Sequence, residues 1–72
     1  MEGIIKELKD EYTVVVEYVE QGKKKLEIMR IADFEGSQVK KNDRVAFNLT
    51  ERDTYRRVIC RVINKNENNW FL

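Results

Sequence analysis

The side chains of this sequence best suited to chemistry are cations and aromatic rings. Lys6, Arg30, Lys40, Lys41, Arg44, Arg57 and Arg61 are interspersed with Tyr12, Tyr18, Phe34, Tyr55 and Trp70. Cationic groups that follow phosphates, combined with rings that stack bases at ~1–3 kcal/mol each, make a sequence-tolerant single-strand-binding surface. The candidate contacts are Lys6, Arg30, Lys41, Arg44, Arg57 and Arg61, with Tyr18 and Tyr55 as stacking platforms. Arg57, Ile59 and Arg61 alternate at strand spacing and so project from one side of a sheet. Each residue has a plainer reading. Mixed charges are what most solvated surfaces carry, Phe47 reads as core, and Tyr12 and Tyr18 suit core and surface equally.

Catalysis finds little to work with. Histidine is absent, which removes the usual general base and the commonest metal ligand. Cys60 is the only cysteine, has no imidazole partner and lies in an apolar run; it reads as a small buried hydrophobe of a reducing compartment. Zinc needs clustered thiolates or imidazoles, and a phosphate-cradling loop needs more than three scattered glycines. Asp10, Glu11, Glu17 and Glu20 can pair across strands, but so short a chain offers little depth to desolvate them. The expectation is a binding protein with no catalytic, metal or cofactor site. The net charge of +1 does not by itself indicate a phosphate-rich partner. The charges are unevenly distributed, however. Basic clusters stand at 23–25, 40–41, 44, 56–57 and 61, and acids at 7–20 and 51–53.

The elements that must position these groups are short strands. Residues 3–8 form a first apolar run, broken by Lys9-Asp10-Glu11. Residues 12–20, dense in valine and tyrosine, are the strongest strand. Gln21-Gly22-Lys23 is a hairpin turn, with Gly22 free to take positive φ. The third run, 26–31, has apolar residues on both faces, and its inward side is ambiguous. Residues 32–37 suit one helical turn ended by Gly36, with Phe34 plugging the bottom of the fold. After a turn at Asn42-Asp43, Val45, Phe47 and Leu49 alternate with Arg44, Ala46 and Asn48. A polar loop is expected at 50–54. Val58, Cys60 and Val62 then share the inner face of a fifth strand.

Five strands with the longest connection between the third and fourth predict an all-β OB-fold-like barrel, with an SH3-like barrel as the alternative. Closure removes sheet edges and lets inward side chains fill a small core. The segment Gly3-Ile4-Ile5-Lys6-Glu7-Leu8 resembles the opening strand of small OB proteins of the S1, cold-shock and bacterial translation initiation factor one type. The segment from Val39 through Asn42-Asp43 to Leu49 resembles their fourth strand and the turn before it. Thr50-Glu51-Arg52-Asp53 with Arg57-Val58-Ile59-Cys60-Arg61 is similar to the loop and last strand of the initiation factor. The resemblance implies an OB-like barrel that binds RNA or single-stranded DNA. It carries over no binding motif. The second strand is aliphatic and acidic where cold-shock domains are aromatic, and Ile31-Ala32-Asp33-Phe34-Glu35-Gly36 is acidic where the initiation factor is basic.

The expected organisation is one barrel over residues 1–64 and a polar tail over 65–72. Trp70-Phe71-Leu72 either folds back onto the barrel or serves a protein partner. No apolar stretch approaches the ~20 residues of a spanning helix, and the expected location is cytoplasmic, with no membrane partner. Two readings follow. One is a protein that binds single-stranded nucleic acid or structured RNA on the outer wall of the barrel. The other is a protein-binding adaptor or small regulatory factor, such as one of phage type, that uses a barrel edge and the Trp70, Phe71 and Leu72 side chains.

Overall fold

The computed structural model describes residues 1–32 and 39–63. Its five strands are β1 (Glu2–Leu8), β2 (Thr13–Glu20), β3 (Lys23–Ile31), β4 (Arg44–Arg52) and β5 (Val58–Val62). They close a barrel in the order β1-β2-β3-β5-β4. Every seam is antiparallel except β3 with β5, where Met29, Arg30 and Ile31 run parallel to Val58, Ile59 and Cys60. The return of β4 to β1, with Gly3 opposite Val45, completes the wall. Of the two barrels expected from the sequence, this is the OB-like one.

The core follows the alternation of each strand. Ile5, Val14, Val16, Met29, Ile31, Val45, Val58 and Cys60 are fully buried, and Tyr18 and Phe47 nearly so. Each large aliphatic side chain withdrawn from water contributes roughly 1.5–3 kcal/mol, which matters in a chain too short for a second core. Leu49 and Val62, expected inside, are partly buried against this cluster, as is Val39. Cys60 is a core residue.

Three sequence expectations are refined. β3 begins at Lys23 rather than at residue 26, because a two-residue turn holds Lys23, Lys24 and Lys25 against Glu20, Val19 and Tyr18. Both turn residues, Gln21 at φ 53° and Gly22 at φ 78°, take positive φ, the geometry that matches strand twist in tight hairpins. β4 continues to Arg52, through residues expected to be loop, because Arg52 pairs with Val58. Finally, β3 turns Met29 and Ile31 inward, leaving Leu26 and Ile28 exposed. The expected helical turn with Phe34, and the tail from residue 65, lie outside the described residues.

Candidate nucleic-acid interface

Two loops flank β3 at one end of the barrel, and each is organised by an aspartate. In loop 9–12, Asp10 Oδ1 accepts hydrogen bonds from the N–H groups of Tyr12 and Thr13, both at 2.9 Å. The bond from Tyr12 is the main reason the Asp10 carboxyl sits below its ordinary pKa. In loop 53–57, Asp53 Oδ1 accepts from the N–H groups of Tyr55 and Arg57, and Oδ2 accepts from Arg57 Nε, all at 2.9 Å. Burial alone would raise the Asp53 pKa. The backbone and guanidinium hydrogen bonds of Arg57 outweigh it, and the pKa is lowered. Arg56 is held in the left-handed region at φ 67°. Its N–H donates to the Asp53 carbonyl at 2.9 Å, and its own carbonyl accepts from Arg52 Nη1 at 2.8 Å.

Closure of the barrel brings these loops together. Arg57 Nη1 donates to Thr13 Oγ1 at 2.7 Å, and Thr13 stands opposite Arg30 in the β2–β3 ladder. The Arg30 guanidinium lies 5.9 Å from the centre of the Tyr12 ring, and that of Arg57 lies 5.4 Å from the centre of the Tyr55 ring. These are cation–π distances. The result is two arginine–tyrosine pairs, Tyr12 of one loop with Arg30 of β3 and Tyr55 with Arg57 in the other loop, beside the exposed apolar side chains of β3. Between β3 and loop 53–57 runs a shallow cleft of about 760 Å³ lined by Leu26, Glu27, Ile28, Tyr55, Arg56 and Arg57. Leu26 is 66% exposed, Ile28 46% and Tyr55 77%. The one carboxylate in this cleft, Glu27, is engaged by Arg52 Nη1 at 3.0 Å and by the Tyr18 hydroxyl at 3.1 Å. What remains presented is apolar, aromatic and cationic.

The structure brings three of the sequence-derived candidates, Arg30, Tyr55 and Arg57, to this end of the barrel. Tyr18 is a correction. Its ring is only 6% exposed and packs edge-on against Phe47 with centroids 5.2 Å apart, so no base can stack on it. It is a core residue whose hydroxyl pKa is raised by burial and by Glu27. The other candidates lie elsewhere. Lys6 occupies the irregularity in β1 between Ile5 and Glu7 and faces Glu17 at 3.8 Å. Lys41 is in the turn before β4, Arg44 stands opposite Ile4, and Arg61 stands opposite Ala46. These four belong to the wall carrying β1, β4 and β5, away from the two arginine–tyrosine pairs. Trp70, Phe71 and Leu72 lie outside the described residues.

Sequence reasoning did not select Tyr12, Thr13, Leu26, Ile28 or Arg56 as site residues. For Tyr12 and Tyr55 a local signal exists, because each follows an aspartate by two positions, the spacing of an Asx-turn that projects a side chain from a loop. For Leu26 and Ile28 the signal was the double-faced apolar pattern of β3. A barrel strand has one inner face, so its second apolar face must be wet or covered. Among the described residues no group of His, Cys, Asp or Glu side chains could hold a metal ion, and no helix is long and apolar enough to cross a membrane. Comparison of the chain with protein-family models, curated proteins and solved structures finds no match.

Proposed function

We propose that the chain binds single-stranded nucleic acid, or the unpaired part of a structured RNA, on the outer face of β2 and β3 and the two loops beside it. The observation that carries this reading is the convergence of Tyr12–Arg30 and Tyr55–Arg57 on one end of the barrel, joined through Thr13. A ring beside a guanidinium offers a base a stacking surface and its phosphate a cation in one unit. Leu26 and Ile28 extend the apolar floor. The location supports the reading too, because OB barrels as a class use the strand 2–3 face and the loops after strands 1 and 4 for oligonucleotides. Lys6, Lys41, Arg44 and Arg61 would add at most long-range attraction from the neighbouring wall.

The test is a fluorescence-anisotropy titration of labelled oligothymidylate and oligouridylate at several salt concentrations. Binding should weaken with salt, with a log–log slope of ~0.7 per phosphate contacted. Replacing Arg30 by alanine should lower that slope. The reading is abandoned if neither oligonucleotide binds at low salt, or if Arg30→Ala and Tyr55→Ala bind as tightly as the parent.

A further inference from the structure

β3 has two edges, and only one is used along its whole length. It pairs with β2 from Lys23 to Arg30, whereas β5 reaches only Met29, Arg30 and Ile31. The direction of each main-chain group follows from the ladder. The N–H of Ile31 donates to the Tyr12 carbonyl at 2.8 Å, and hydrogen-bonded positions in an antiparallel pair recur at every second residue. Met29, Glu27, Lys25 and Lys23 therefore direct their N–H and C=O groups to β2. Lys24, Leu26 and Ile28 direct theirs away from it. Ala32 obeys the same alternation, its N–H reaching the Cys60 carbonyl of β5 at 3.0 Å. Among the described residues, nothing pairs with the outward main chain of Lys24 and Leu26 or with the N–H of Ile28, whose C=O is taken up by Val58 in the parallel ladder with β5.

We propose that this open stretch of β3 is a strand-addition site for an extended peptide segment of a partner protein, apolar at alternate central positions and acidic at both ends. Lys24 and Leu26 each present a donor and an acceptor, and Ile28 a donor, repeating at ~6.8 Å, the repeat a peptide strand matches. The side chains beside them, Leu26 and Ile28 on the strand and Tyr55 across the cleft, supply apolar contact for every second residue of such a segment. The ends of the site are cationic. Lys23 and Lys24 stand at one end, beside Lys25, which Glu20 already holds at 2.9 Å, and Arg56 stands at the other, beside Arg57, which Asp53 already holds at 2.9 Å. Lysines on an edge discourage indiscriminate pairing, and here they select for acidic residues.

The same charges argue against a second copy of the chain as the occupant. Antiparallel self-pairing centred on Leu26 would set the lysines of each copy beside Arg56 and Arg57 of the other, and parallel self-pairing would set lysine beside lysine. A nucleic-acid strand would satisfy the cations, but it offers no donor and acceptor pair at the strand repeat. The inference goes beyond the nucleic-acid reading and does not depend on it.

The test is amide hydrogen exchange by NMR on the full chain, with a synthetic peptide carrying valine at alternate central positions and aspartate and glutamate at each end. Exchange at Lys24, Leu26 and Ile28 should slow, while Lys25 and Glu27, already bonded to β2, should not change. Leu26→Pro removes an outward N–H and no β2 hydrogen bond, and it should weaken the peptide about tenfold. If that variant fails to fold, the alternating exchange pattern of the parent chain decides by itself. Unchanged exchange at all three amides at the highest soluble peptide concentration would overturn the proposal. So would protection of these amides by oligothymidylate and not by the peptide, or equal affinity for a version with lysine at both ends.

Discussion

Arg57 Nη1 and Thr13 Oγ1 are 2.7 Å apart, and this hydrogen bond ties loop 53–57 to the start of β2, 44 positions earlier in the chain. It links the two halves of the candidate interface. Arg57 also closes its own loop through Asp53, and Thr13 faces Arg30 across the ladder. Thr13 is 7% exposed, so its hydroxyl is shielded from competing water.

Thr13→Val keeps the shape of the side chain and removes the acceptor. The expected cost is about 1 kcal/mol, the usual worth of such a bond when partly buried. Urea denaturation should show a lower midpoint at unchanged slope. Oligonucleotide affinity should fall severalfold, because the Tyr55 loop is no longer anchored. A midpoint identical to the parent would mean the bond contributes nothing.

Tyr55 and Tyr18 should respond in opposite ways to alanine. Tyr55→Ala, at an exposed loop position, should leave stability within ~0.5 kcal/mol of the parent, yet cost ~1–3 kcal/mol in oligonucleotide binding. Tyr18→Ala empties core space beside Phe47 and should destabilise the fold by ~3–5 kcal/mol. Thermal melts with anisotropy titrations separate the two. Equal stability losses would contradict the burial difference between the rings.

Gly3 sits on β1 close against β2. A Cβ at this position would lie 2.6 Å from Val16 Cγ1 and 2.7 Å from the Glu17 carbonyl oxygen. Neither neighbour yields easily, since one is a stiff β-branched core side chain and the other is backbone. Gly3→Ala should therefore destabilise the barrel by ~1–3 kcal/mol, read as a lower thermal midpoint. A midpoint equal to or above the parent's would show that the strands separate freely here.

Asp10 and Asp53 give the fold a defined acid limit. Both carboxyls are held below their ordinary value of 3.8. A carboxyl whose pKa is lowered by folding stabilises the folded state above the unfolded-state value, and that contribution disappears as pH falls through the folded-state value. The contribution of these two groups should therefore be fully present and independent of pH near neutrality, and be lost as the pH falls below about 4. Chemical denaturation of the parent, Asp10→Asn and Asp53→Asn across that range checks the sign. The two variants should lose less stability on acidification than the parent does.

Much of the fold was legible because period-two alternation is a local property. Val45 and Phe47 in β4, and Val58 and Cys60 in β5, declare their inner face from a few neighbouring residues, and the structure buries all four. The hairpin at Gln21-Gly22 was equally local. β3 was not legible, because Leu26, Ile28, Met29 and Ile31 place apolar groups on both faces. Only pairing of Met29 with Val14 and Val58 decides which side is inside.

The sequence by itself determined an all-β chain of five short strands, with enough inward aliphatic side chains to fill a closed barrel. Strand propensity and alternation act over neighbouring residues, so no partner is needed to read them. Tertiary structure alone decided that the Tyr18 ring lies inside, that Tyr12 meets Arg30, and that Arg57 meets Thr13. It also decided that β5 stops at Met29 and leaves the edge of β3 open. These relationships join residues far apart in the chain. They exist only once barrel closure sets the register between strands, and a change of one residue in that register would exchange every inward side chain for an outward one.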